Sequence, residues 1–138
     1  MTKKIIAVVI LLVTGFNIKA QQKKNYQIGI IAFYNLENLF DTINQPEVND
    51  EEFTPEGANH YTSKVYLDKI SKLSDVLSLI GTDESPDGFS ILGCAEVENE
   101  SVLKDIVNSP KLKSRNLKIV HYDGPDRRGV DVGLLYNP

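Results

Sequence analysis

Apolar residues follow two rhythms along this chain. Ile28-Gly-Ile-Ile-Ala-Phe-Tyr34 and Phe89-Ser-Ile-Leu-Gly-Cys-Ala95 are nearly continuous apolar runs, the pattern of strands covered on both faces. Between them Tyr66, Ile70, Leu73, Leu77 and Ile80 recur at three- and four-residue intervals, with Val76 widening the stripe, which predicts a helix with one apolar face. Thr62 or Ser63 suits its start and Gly81 its end, and Asp68 precedes Lys72 by four residues in the favourable order. A shorter helix is predicted from a cap at Asn99 through Val102, Leu103, Ile106 and Val107, stopped by Pro110. Leu117 to Tyr122 reads as a third strand. Val130, Val132, Leu134 and Tyr136 alternate along a fourth. The order strand, helix, strand, helix, strand, strand favours a layered α/β sheet with helices packed on it.

Two segments interrupt this pattern. Asn35-Leu-Glu-Asn-Leu-Phe-Asp41 is expected to end the first strand, and Thr42 to His60 is a long, polar, acidic loop, of a length that is usually functional or mobile in a compact domain. No internal repeat or low-complexity tract is present.

The first twenty residues stand apart. Lys3 and Lys4 precede an apolar run from Ile5 to Val13, and small Ala20 closes the segment. This is the layout of a secretory signal peptide cut after Ala20, too short to span a bilayer comfortably. Residues 1–20 are therefore expected to be removed, giving a secreted or periplasmic protein without stable membrane insertion. The remainder, residues 21–138, holds twelve Lys/Arg against nineteen Asp/Glu, a net charge near −7 rather than −4. That length suits one domain. Its acidity argues against a basic-patch binder of nucleic acid, so phosphate chemistry here needs a local cation, most simply a metal. Cys94 is the only cysteine; an internal disulfide is excluded, and its apolar setting marks a buried small hydrophobe rather than a nucleophile.

Candidate chemistry gathers where the strands stop, the place where sheets with flanking helices tend to bind ligands. Asn35 and Glu37 stand two apart, on one side if the strand continues that far. Glu96 follows Ala95, with Glu98 and Asn99 behind it. Arg127-Arg128-Gly129 and Asp131 lead into the last strand. Amide and carboxylate oxygens from separate strands suit a hard cation such as Mg²⁺. The same residues also suit turn and helix capping, and nothing in their spacing decides between the two. His60 and His121, lacking a matched partner in the sequence, are read as structural or solvated.

Three blocks then carry a resemblance: Phe33-Tyr-Asn-Leu-Glu-Asn-Leu-Phe-Asp41, Pro86-Asp-Gly-Phe-Ser-Ile-Leu-Gly-Cys-Ala-Glu-Val-Glu-Asn99 and Asp126-Arg-Arg-Gly-Val-Asp-Val-Gly-Leu-Leu-Tyr136. In that order they resemble the endonuclease/exonuclease/phosphatase superfamily, the deoxyribonuclease I-like group, and its secreted bacterial members above all. The resemblance implies the N-terminal half of a four-layer α/β sandwich, a mixed sheet with flanking helices. It implies that Asn35 helps orient a metal, its waters or the phosphate. Glu96 matches the metal-binding Glu, Glu37 an acidic position near the metal, and Arg128 a loop position near the scissile phosphate. The implied cofactor is Mg²⁺, with Mn²⁺ or Ca²⁺ as alternatives. The implied reaction is hydrolysis of a phosphate ester by in-line attack of water, in the manner of a phosphodiesterase or nuclease.

Substrates of the group include nucleic acid, phospholipid head groups and small phosphate esters, and the acidic Asn49-Asp-Glu-Glu52 run tilts the choice toward smaller esters. The Asp and His of the family's base system belong to a later part of the domain. The chain by itself is therefore expected to be inactive, with the C-terminal half absent and an uncovered sheet face available for association. The alternative is a secreted, non-catalytic module that binds a cation or a protein partner.

Overall fold

The computed structural model describes residues 26–138. The expected signal peptide lies outside them. The elements follow the expected order: β1 (Ile31–Leu39), α1 (Ser63–Leu79), β2 (Ile91–Val97), α2 (Glu100–Val107), β3 (Lys118–Tyr122) and β4 (Asp131–Tyr136), with single 3-10 turns at Glu51–Phe53 and Lys113–Arg115. Thr62 caps α1 by accepting the Val65 N–H, and Asn99 caps α2 by accepting that of Val102. Each such cap is worth about 1 kcal/mol. Gly81 follows α1 with φ 79°, and Lys72 meets Asp68 at 2.6 Å.

The strands form one mixed sheet in the order β1-β2-β4-β3, with β1 parallel to β2 and the other pairs antiparallel. This is an α/β layer of the expected class. Registers Ile31↔Ile91, Phe33↔Gly93 and Ala95↔Val132 put one residue set on each face. On the inner face Leu92, Cys94 and Leu135 are fully buried, in one core with Val102, Leu103 and Ile106 of α2 and Ile70 and Leu77 of α1. Burial pushes the Cys94 thiol up to about 12, which leaves it an inert hydrophobe, as the sequence implies. The outer face is open: Ile31 is 78% exposed, Phe33 68% and Val132 67%. The apolar run of β1 thus predicts cover on both faces, whereas the described residues cover one.

A second departure lies at the end of β1, which runs on through Asn35 to Leu39 rather than stopping at Asn35. The register shifts after Asn35, and Glu37 and Asn38 take left-handed φ values of 55° and 57°. This bulge lets Leu36, Leu39 and Phe40 all reach the core, which regular alternation would forbid. The acidic loop beyond it is packed rather than loose. Phe53 stacks on Phe40 with centroids 4.0 Å apart, and Tyr61 meets Phe53 edge-on at 5.7 Å.

A candidate phosphoester site at the strand ends

Glu96 lies one residue before the end of β2, on a second bulge. Its φ is 59°, and the β2–β4 register shifts across it between Ala95 and Val97. Left-handed backbone is uncommon for a side chain of this kind, and such residues collect at functional sites. Glu96, Glu37 and Asn38 therefore form a strained set on two neighbouring parallel strands, which are tied together by the Asn38 N–H donating to Glu96 Oε2 at 3.0 Å. Among the described residues no hydrogen bond engages Glu96 Oε1, so one oxygen of this half-exposed carboxylate is free for a ligand.

Asn35 pairs with Ala95 across the same two strands. It lies one register step from Glu96, but its side chain is turned locally, with Oδ1 accepting the N–H of Glu37 at 2.7 Å. Asn35 and Glu37 are both exposed. Lys69 lies beneath the bulge. Its Nζ donates to the carbonyl oxygens of Glu37 and Asn38, the latter at 2.9 Å. Burial lowers the Lys69 ammonium below its ordinary value, opposed by the nearby charges of Glu37 and Glu96. Sequence reasoning passes over Lys69, whose only signal is its place three residues after buried Tyr66, on the flank of the apolar stripe.

Glu96 and Arg128 line one groove of about 300 Å³, together with Ala95, Asp126, Asp131 and Val132. Asn35 and Glu37 are not part of its wall. Arg128 is not free in it: Nε and Nη2 fork onto Asp126 at 3.2 and 2.9 Å. The hydrogen bonds and charge of Asp126 raise the guanidinium above its usual value, and those of Arg128 lower the Asp126 carboxyl. The pair is exposed, so water competes with it and its net strength is small. A phosphate offering the same two-oxygen geometry can replace Asp126.

The loop that carries Arg128 is held from behind by the acidic loop. Asn49 N–H donates to the Arg127 carbonyl at 2.8 Å. Gly129, at φ 72°, sits where a Cβ would come within 2.7 Å of Val48, so only glycine allows this approach. Glu98, nearly fully buried, ties down the start of the acidic loop by accepting from Asp41 N at 2.5 Å and Gln45 Nε2 at 2.8 Å. Burial pushes its carboxyl up to about 7. Asp50, 2% exposed, accepts the Gln45 N–H through both oxygens. One charge of the acidic run therefore faces inward.

The donors at the strand ends are carboxylate and amide oxygens, the set that fits a hard divalent cation such as Mg²⁺. Neither the curated proteins nor the solved structures include a significant match to the chain. The family model described as "Endonuclease/Exonuclease/phosphatase family" matches residues 30–138, taking in all six elements and both bulges, and the chain therefore belongs to that family.

Proposed function

We propose that the protein is a secreted or periplasmic, divalent-cation-dependent phosphoesterase of the phosphodiesterase or nuclease kind. The observation that carries the reading is the groove in which Glu96, held on a left-handed bulge, shares a wall with a guanidinium already engaged by a carboxylate. Family membership supports hydrolysis of phosphate esters as the reaction class.

In this reading Glu96 holds the cation through its unengaged oxygen, with Asn35 and Glu37 at the neighbouring strand end as further oxygen donors. A bound Mg²⁺ supplies neutralisation of charge on the phosphoryl oxygens and the leaving group. Arg128 exchanges Asp126 for two phosphate oxygens, which fixes the ester and offsets its charge as water attacks phosphorus and the P–O bond to the leaving group breaks. Lys69 acts through the backbone by clamping the carbonyls of the Glu37–Asn38 bulge. Phosphate esters smaller than a long polyanion suit the acidic surroundings best, because Glu51 and Glu52 remain exposed in the acidic loop whose Asn49 bonds to Arg127.

The test uses the exported product of the complete reading frame, whose N-terminus should be Gln21 by mass spectrometry, assayed with Mg²⁺ against a panel of phosphate mono- and diesters. Metal-dependent turnover is expected. Glu96→Gln should lower it on the order of 10²-fold or more, with the circular dichroism spectrum unchanged. Equal turnover by this variant, or no metal-dependent hydrolysis of any ester, would sink the proposal. The open apolar face of the sheet favours a second role as a docking surface, which remains compatible with catalysis.

A further inference from the structure

The antiparallel pair β3–β4 brings three other ligand-type side chains together. His121 lies opposite Gly133, and Tyr122 opposite Val132, so Asp131 and His121 are diagonal neighbours on the inner face. The His121 side chain is only 5% exposed and that of Asp131 7%. Asp123 follows at the exposed turn, and one ligand atom from each of the three lies within 4.8 Å of the others.

The arrangement is incomplete as an ion pair. His121 Nε2 is 3.1 Å from Asp131 Oδ2. It nevertheless makes no hydrogen bond to that oxygen or to any other atom among the described residues, because the nitrogen points away from the line a hydrogen bond needs. A buried nitrogen without a partner is costly. The other Asp131 oxygen, Oδ1, is fixed by the Gly124 N–H at 2.6 Å, which orients the carboxylate so that Oδ2 is the one presented to His121. A backbone donor behind a carboxylate is the usual support of a metal ligand.

We propose that His121, Asp123 and Asp131 form a second divalent-cation site, of the Zn²⁺ class, at the turn end of the β3–β4 pair. Ligand bonds of roughly 2.0–2.1 Å at a tetrahedral angle place two ligand atoms roughly 3.3 Å apart, close to the spacing of Nε2 and Oδ2. One imidazole with two carboxylates suits a borderline transition metal better than Mg²⁺. Exposed Asp123 has the rotamer freedom to close on the ion, and three protein ligands leave a fourth position for water. The site does not rest on the phosphoesterase reading, since it uses neither Glu96 nor Arg128, although Asp131 also lines their groove.

Chelator-treated protein titrated with Zn²⁺ against a chromophoric competitor, and with Co²⁺ as a spectroscopic probe, tests the site. One Zn²⁺ per chain should still bind in Glu96→Gln, where the cation ligand of the phosphoester groove is removed. Asp123→Ala, a change at an exposed turn that leaves the core untouched, should weaken it at least about tenfold. The Co²⁺ adduct should show the intense visible bands of a tetrahedral site, lost in His121→Gln. Zn²⁺ bound with equal affinity after Asp123→Ala, or bound only where Glu96 is intact, would overturn the proposal and leave His121–Asp131 as a plain contact. Loss of ester hydrolysis in Glu96→Gln with Zn²⁺ retained would separate this site from the phosphoester site.

Discussion

The two faces of the sheet carry similar residues and opposite environments. On the inner face Leu92 and Leu135 are wholly buried under the helices, whereas on the outer face Ile31, Phe33 and Val132 are largely exposed. Gly93 separates the two kinds of packing, since the Phe33 ring lies over it on the outer side and a Cβ there would be 2.7 Å from that ring. Apolar residues on both faces of one strand show that its composition is fitted to two layers. Among the described residues the stabilisation comes from one of them, because burial rather than hydrophobicity is what lowers the free energy.

Three substitutions sharpen that contrast. The largest effect is expected at Leu92→Ala, which opens a cavity against α2 and should cost about 2–5 kcal/mol, read as a lower urea midpoint. A loss below about 1 kcal/mol would mean that the inner face is not a close-packed core.

Next is Tyr66→Phe. Tyr66 links the helices by donating to Asp105 Oδ2 at 2.5 Å, and the change should cost about 1 kcal/mol. Burial, followed by that hydrogen bond, raises the Tyr66 hydroxyl well above the ordinary tyrosine range. The unfolded chain therefore ionises first. The contribution is fully present below pH 10, the ordinary tyrosine value, and is lost as pH rises beyond it. Stability followed into the alkaline range should decline less steeply in Tyr66→Phe than in the parent, and parallel curves would discount the link.

The smallest effect is expected on the outer face. Phe33→Ser in the 138-residue chain should change stability by no more than about 0.5 kcal/mol while reducing self-association in sedimentation. If it destabilised as much as Leu92→Ala, the outer face would be covered in solution and the contrast between the faces would disappear.

Local pattern was enough for the order of elements. Thr62 and Asn99 cap where their side chains predict, and the stripe from Tyr66 to Leu77 is the buried stripe of α1. The end of β1 was less readable. Asn35 to Asp41 has the polarity of a loop, and its continuation as strand depends on a bulge that brings Leu36 and Leu39 inward against residues far along the chain. The acidic loop was misjudged for the same reason: Glu98 and the Phe40–Phe53 stack hold it from a distance.

The sequence by itself determined the strand and helix order, the inert Cys94 and the three blocks that resemble the family, since each is written in neighbouring residues through periodicity, capping and motif. Tertiary structure decided what surrounds each charged group. Glu96 and Arg128 meet in one groove, Asp126 occupies the guanidinium, Lys69 clamps the bulge and His121 finds Asp131. Those pairings depend on strand register and on left-handed turns at Glu37, Asn38 and Glu96. Such turns are imposed by packing of the whole layer against the local preference of the residues that adopt them.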